Sequence, residues 1–128
     1  MHELIELRNR HLRGAIRREY ENVKPGERAD LATIAWRAAS GPAPTYYCTY
    51  EYALRMLRVL RHGRLKLRRD RRLMLWLELN ERTTALMERH GISLPDALAR
   101  VLADGHASQF FISPSRAATL ASEILKQK

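Results

Sequence analysis

Apolar residues recur at helical spacing along almost the whole chain. Alternation of apolar and polar residues is confined to a few positions around Leu65 and Leu67. This pattern is typical of amphipathic helices that bury one face. Proline and glycine residues interrupt it at intervals and mark the ends of the helices. The sequence therefore predicts an all-α fold of about six helices.

The predicted helices cover residues 2–22, 28–39, 50–61, 71–90, 94–104 and 114–125. Thr49, Ser93 and Ser113 precede three of them as predicted N-caps, because a hydroxyl oxygen can accept a free backbone N–H of the first turn. The residues expected on the inward faces of the first, fourth and last helices are Leu4, Ile5, Leu12, Ala15, Ile16, Tyr20, Leu73, Trp76, Leu77, Asn80, Thr84, Met87, Ala117, Leu120, Ala121 and Ile124.

A shift of 64 positions aligns two segments of the chain without a gap. Each reads as a helix, a glycine, two adjacent aromatic residues, a hydroxyl residue that can cap, and a second helix. The matched positions include Gly41 with Gly105, Ala43 with Ala107, Tyr46 and Tyr47 with Phe110 and Phe111, and Thr49 with Ser113. We interpret this as an internal repeat of two tri-helical units, residues 1–63 and 64–128. A unit of about 60 residues is marginal alone, so we expect the two to pack together.

Residues 94–125 have the sequence LPDALARVLADGHASQFFISPSRAATLASEIL. A helix, a break and a capped final helix in this order resemble the helix-turn-helix family of DNA-binding domains, and residues 30–61 repeat the arrangement less clearly. The segment is similar to looser-turn members of the Trp-repressor and replication-initiator type, and to short proteins of bacterial mobile elements. Its break, Gly105 to Ile112, has about eight residues where the standard turn has about four. The resemblance implies that the last helix of a unit enters the major groove.

The outward face of each last helix carries the candidates for reading DNA bases. In the second unit this face offers short hydrogen-bonding groups and one arginine, which suit base edges. In the first unit the set is bulkier and more basic, so the two units are not expected to read the same sequence. The base-reading candidates are Ser115, Arg116, Thr119 and Ser122 in the second unit and Tyr50, Glu51 and Arg55 in the first.

The charge of the chain favours an anionic partner. It has 23 Lys and Arg residues against 14 Asp and Glu residues, a formal net charge of +9. Only four of the basic residues are lysine, and arginine suits bidentate contacts with phosphate and guanine. We therefore expect nucleic acid, most simply double-stranded DNA, as the partner. The phosphate-contact candidates are the dense basic run Arg58, Arg61, Arg64, Lys66, Arg68, Arg69, Arg71 and Arg72, with the N-caps Ser113 and Thr49.

The two aromatic pairs lie in the predicted breaks. Two adjacent rings in a connection usually include one that fills the core, and the other can stack on a base. Tyr47 and Phe111 are expected in the core. Tyr46 and Phe110 are left open for stacking.

Several kinds of site and location are not expected. No apolar run approaches the roughly 18 residues that cross a bilayer, so we expect a cytoplasmic, nucleoid-associated protein that binds no membrane. Cys48 is the single cysteine, and the five histidines show no zinc-site spacing. No glycine-rich phosphate loop, nucleophile elbow or spaced carboxylate cluster is visible, so an enzyme, a metal or another cofactor is not expected.

Three functions are compatible with the sequence. The first is a sequence-selective DNA-binding protein, either a transcriptional regulator or an accessory factor of a mobile element. The second is a helical assembly protein that binds RNA or DNA by charge alone within a larger complex. The third is a small helical enzyme similar to chorismate mutase, whose first helix the opening MHELIELRNRHLRGAI resembles. A homodimer or a protein partner is open in each case.

Overall fold

The computed structural model describes residues 2–27, 30–63 and 71–126 of the chain. The six α-helices in these ranges are α1 (His2–Glu21), α2 (Leu31–Ser40), α3 (Tyr50–Arg61), α4 (Arg71–His90), α5 (Leu94–Asp104) and α6 (Pro114–Lys126). The prediction of an all-helical fold with about six helices is confirmed. Helix lengths of 20, 10 and 12 residues in α1 to α3 are followed by 20, 11 and 13 residues in α4 to α6, which agrees with an internal repeat.

The helix starts follow the capping residues. The second helix begins at Leu31 rather than at the predicted residue 28, because the Asp30 carboxylate accepts the N–H of Thr33 at 2.7 Å and caps it. The three predicted hydroxyl caps also accept backbone N–H groups, Thr49 from Tyr52, Ser93 from Asp96 and Ser113 from Arg116. Each cap satisfies a backbone donor that has no partner inside its helix.

The first compact unit combines residues 1–47 with residues 106–128. Within it α1, α2 and α6 pack against one another in all three combinations. The buried residues of these helices are Leu12, Ile16, Ile34, Ala35, Ala38, Ala39, Ala117, Leu120, Ala121 and Ile124. Since many of them are alanines, the backbones of α2 and α6 can approach closely.

The second compact unit is residues 48–105, in which α3, α4 and α5 pack in all three combinations. Its buried helical residues are Ala53, Leu57, Trp76, Leu79, Thr83, Ala97, Leu98 and Val101. Thr83 is a buried polar residue, and its hydroxyl donates to the carbonyl oxygen of Leu79 at 2.6 Å. The hydroxyl is therefore satisfied inside its own helix.

The expected boundary between residues 63 and 64 does not separate these units. The last helix of each predicted half packs in the other unit, because α6 joins α1 and α2 while α3 joins α4 and α5. The backbone conformation directly after α2 and after α5 gives the reason for this exchange. Gly41 (φ −84°, ψ 173°) and Gly105 (φ −89°, ψ 120°) follow α2 and α5 in extended conformations. An extended departure leads the chain away from the helix it leaves, whereas a left-handed residue would turn it back.

The two break segments meet inside the first unit. Ala43 and Ala107 form an isolated antiparallel bridge in which each N–H donates to the other's carbonyl oxygen at 3.0 Å. The N–H of Phe110 also donates to the carbonyl oxygen of Ala39 at 3.0 Å. Ala43 and Ala107 are equivalent positions of the repeat, so the paired residues are those that the 64-residue shift equates. This pairing attaches the segment before α6 to the end of α2.

The predicted inward face of α6 agrees with the structure, whereas those of α1 and α4 are partly wrong. Ile5 and Tyr20 of α1 are 43% and 49% exposed, and Leu77 of α4 is 50% exposed. In α4 the buried stripe runs through Trp76, Leu79 and Thr83. Residues 73–77 are all apolar, so the sequence allowed more than one helical register there.

Candidate nucleic-acid interface

The outer face of α6 brings together the base-reading candidates of the second half. Ser115, Arg116, Thr119 and Ser122 are all exposed, and so is Glu123. They lie opposite the buried stripe of α6, whose residues pack in the first unit. The amphipathic pattern placed these side chains on one exposed face correctly. Their role as DNA-reading residues remains a prediction.

Hydroxyl groups on this face are partly used within the helix. The Thr119 hydroxyl donates to the carbonyl oxygen of Ser115 at 3.0 Å, and the Ser113 and Ser115 hydroxyl oxygens lie 3.3 Å apart. The Thr119 oxygen retains acceptor capacity and its methyl group remains, so this residue can accept a hydrogen bond or make an apolar contact. The Ser113 hydroxyl accepts the N–H of Arg116 and so acts as the N-cap of α6, as predicted from the sequence.

An arginine of α1 lies close to the start of this face. Arg8 is half-buried, and its guanidinium donates two hydrogen bonds to Asn9 Oδ1, at 3.1 and 3.3 Å. Burial lowers the pKa of Arg8, and the positive charge of Arg116 lowers it further, while Tyr47 acts in the opposite direction. In the parts of the chain that the structure describes, no carboxylate forms an ion pair with Arg8 or Arg116. The two like charges therefore repel one another, and neither is paired with a carboxylate in the described part of the chain.

Towards the opposite end of the face the acidic group is paired. Arg13 of α1 forms an ion pair with Glu123 of α6 at 3.3 Å, with side-chain exposures of 35% and 47%. The pair joins the two helices and compensates the one acidic group on the face. The positive charges that remain on α6 are Arg116 in its first turn and Lys126 in its last turn.

An aromatic cluster formed by His11, Tyr47 and Phe110 lies near Arg8. The Tyr47 hydroxyl is 2.7 Å from His11 Nδ1, and its ring stacks on that of Phe110 with centroids 6.1 Å apart. Burial raises the pKa of Tyr47 to about 12, although the nearby Arg8 acts to lower it. Tyr47 is thus a neutral phenol that connects the first break to α1.

The sequence-based assignment of the aromatic pairs was reversed. Tyr46 and Phe110 are each only 3% exposed, whereas Tyr47 and Phe111 are half-buried. Phe111 has a φ of 54°, in the left-handed region that non-glycine residues rarely adopt. The hydrogen bond from Phe110 to Ala39 and the turn at Phe111 direct the Phe110 ring inward. Tyr46 and Phe110 are therefore not available to stack on bases.

The predicted reading face of α3 is different, because part of it is covered within the second unit. The Tyr50 hydroxyl donates to the carbonyl oxygen of Pro95 at 3.5 Å, and the ring of Tyr52 lies 5.6 Å from that of Trp76. The Arg55 guanidinium lies 5.9 Å above the Tyr52 ring. Glu51, Arg55 and Arg58 are exposed. The partial burial of Tyr50 makes it a packing residue, contrary to the expectation that it faces outward.

The predicted phosphate contacts divide into three groups. Arg61 donates to Thr84 Oγ1 at 2.7 Å and to Met87 Sδ at 3.2 Å, so it also links α3 to α4. Arg58 and Arg72 are exposed, and Arg71 is half-buried at the start of α4. The other members of the basic run lie outside the described residues, namely Arg64, Lys66, Arg68 and Arg69. The basic bridge as a whole therefore remains a prediction.

Arg8 and Arg13 were not among the residues predicted for this site. A signal for Arg8 was present, because it precedes Leu12 and Ile16 at four-residue intervals and so shares their buried stripe. A charged group on such a stripe is a candidate for function or for pairing. Arg13 had no comparable signal, because its partner Glu123 lies 110 residues away.

Comparison of the chain with models of known protein families, with curated proteins and with solved structures finds no match. None of the helices described here has the length and apolar character needed to span a membrane. Over residues 2–27, 30–63 and 71–126, no three histidine, cysteine or acidic side chains are grouped to hold a metal ion.

Proposed function

We propose that the first unit binds double-stranded DNA through the outer face of α6, with Arg8 of α1 beside it. The observation that carries the proposal is the pair Arg8 and Arg116, two guanidinium groups that repel one another at the start of an exposed polar helix face and have no carboxylate partner among the described residues. The chain thereby keeps positive charges close together that an external anion would stabilise.

The electrostatics favour a phosphate at this end of the helix. The mutual repulsion of Arg8 and Arg116 is relieved by an anion between them, and burial of Arg8 strengthens that interaction relative to bulk water. The N-terminal turn of α6 adds the positive end of the helix dipole, whereas the N–H of Arg116 is already bonded to Ser113. Formation of each such contact releases counterions from DNA, so affinity falls steeply with salt.

The side chains of α6 support reading of bases in the major groove. Arg116 is suited to the two acceptors of guanine, while Ser115 and Ser122 can donate to or accept from several base edges. Thr119 retains a methyl group for contact with thymine. A helix packed on two others, with this face exposed, is the usual arrangement of a recognition helix. We accordingly favour sequence-selective binding, as in a transcriptional regulator or mobile-element factor, over binding by charge alone.

Selection from a random pool of DNA duplexes at two salt concentrations tests the proposal. We expect wild-type protein to enrich a common sequence, and Arg116→Ala to change that sequence and weaken binding by about 1–3 kcal/mol. Arg8→Ala should weaken all sequences alike and reduce the salt slope by about 1. Arg10→Ala is the matched control, since Arg10 is exposed on α1 but faces another direction from Arg8. It should leave binding nearly unchanged.

The outcomes separate the candidate functions. Salt-dependent binding without an enriched sequence would favour the assembly protein that binds nucleic acid by charge. If both Arg8→Ala and Arg116→Ala bind as wild type does, this face is not the DNA-binding surface.

A further inference from the structure

A groove in the second unit has a different chemistry from that of the helix face considered above. It runs between α4 and α5 and has a volume of about 350 Å³. Three arginines border a mainly apolar floor. We name it the arginine groove, formed by Arg82, Arg89 and Arg100 at the rim and Ala85, Leu86 and Val101 at the floor.

The floor distinguishes this groove from a phosphate-binding surface. Val101 is buried, Leu86 is half-buried and Ala85 is exposed, so the floor offers aliphatic carbon to a guest. A phosphodiester has no apolar group to place there, and it would leave the groove filled with water. An aliphatic side chain would instead gain about 25 cal/mol for each Å² of apolar area removed from water.

The rim defines the charge of the guest. Arg89 and Arg100 are exposed, and neither forms an ion pair in the described part of the chain. Asp104 lies at one end of the groove and is the only acidic residue among those that line it. The rim therefore has an excess of positive charge and favours carboxylates above an apolar face.

The spacing of the rim favours a helical guest. Arg82 and Arg89 are seven residues apart on α4, which is two helical turns and about 10.5 Å. The groove follows α4 over this length, so a guest helix with leucines at the same spacing would place them on the floor and carboxylates beside Arg89 and Arg100. Recognition by a groove of this kind uses apolar anchors at helical spacing. We propose that the arginine groove binds an acidic amphipathic helix of a partner protein.

A designed peptide tests this inference without knowledge of the natural partner. The probe is a fluorescein-labelled helix of about 16 residues with leucines along one face and glutamates beside them. We expect the full-length protein to bind it with a Kd on the order of 10 µM at low salt. The comparison peptides keep the composition but scramble the leucine spacing, or replace each glutamate with lysine. Neither should bind measurably.

Variants of the protein locate the binding. Arg89→Glu and Arg100→Glu should each raise the Kd at least about tenfold. Ala85→Glu places a carboxylate on the floor at an exposed helical position and should have a similar effect without loss of folding. Arg10→Glu in α1 makes the same change of charge outside the groove and should have little effect. Circular dichroism checks that each variant is folded.

Several results would overturn the inference. They are no binding of the acidic helix, equal binding of its scrambled form, or equal weakening by Arg10→Glu. Displacement of the peptide by a DNA duplex, with loss of DNA binding in Arg89→Glu, would assign the groove to nucleic acid instead. The inference does not depend on DNA binding by α6, since Arg116→Ala should leave the affinity for the peptide unchanged.

Discussion

The assignment of α3 to the unit that contains α4 and α5 predicts where a core substitution acts. Leu57 of α3 is fully buried in that unit. A division of the chain into consecutive halves would instead place Leu57 with α1 and α2. We expect Leu57→Ala to destabilise the unit formed by residues 48–105 and to leave the other unit nearly unaffected.

The size of the effect follows from the burial of Leu57. Replacement by alanine removes three carbon atoms from the core and leaves a cavity. The lost burial of these atoms costs about 2.4 kcal/mol of the free energy of unfolding, at about 0.8 kcal/mol for each carbon. The expected total is about 3 kcal/mol, within the range of about 2–5 kcal/mol for buried leucines. With an m-value near 1 kcal/mol/M, this lowers the urea midpoint of the unit by about 3 M. Leu77→Ala is the matched control, since Leu77 is 50% exposed and should cost below about 1 kcal/mol.

The two tryptophans report the two units separately. Trp36 lies in α2 of the first unit and Trp76 in α4 of the second. Protein labelled with 5-fluorotryptophan gives one ¹⁹F resonance for each, and urea titration of both follows the two units in one sample. Leu57→Ala should shift the transition of Trp76, and Leu120→Ala in α6 should shift that of Trp36. A Leu57→Ala shift confined to Trp36, or equal for both probes, would refute the reasoning.

Two further predictions concern the cluster around α6. Because burial raises the pKa of Tyr47 to about 12, folded protein retains this proton between pH 10 and 12, where an unfolded tyrosine loses it. The stability that the Tyr47 proton contributes is complete below pH 10 and is lost as the pH rises towards 12. Unfolding midpoints measured across this range should fall in the wild-type protein, and the fall should be smaller in Tyr47→Phe. Ser113→Ala removes the acceptor for the N–H of Arg116 and should lower the free energy of unfolding by about 1 kcal/mol, as measured by thermal melts. An unchanged stability of Ser113→Ala would show that solvent replaces the cap.

The helices could be predicted from sequence because their ends depend on local chemistry. Hydroxyl caps, Pro95 in a first turn and Gly91 after α4 act within a few residues of the positions they define. The choice of packing partner is not local. The apolar stripes of α3 and α6 are equivalent under the repeat, so neither stripe indicates which helix pair it covers. That choice follows from the extended backbone at Gly41 and Gly105 and from the pairing of the two breaks.

The candidate site shows the same division between local and distant information. The exposed face of α6 follows from the period of its buried stripe, and it could be predicted without knowledge of the fold. The proximity of Arg8 to Arg116 joins residues more than a hundred positions apart, which no spacing rule reveals. The prediction of which ring in each aromatic pair is buried was wrong for a related reason. The backbone at Phe111 has a positive φ, so the side chains around it do not follow a regular period.

The reciprocal hydrogen bonds between Ala43 and Ala107 have a consequence for protein engineering. They hold the segment that follows α2 next to the segment that precedes α6. A designed connector from Tyr47 to His106 would therefore need only a few residues. Such a shortcut would delete the intervening helices and produce a minimal domain of α1, α2 and α6. By contrast, a cut in the middle of the gene would separate every three-helix core from one of its members and yield no autonomous module.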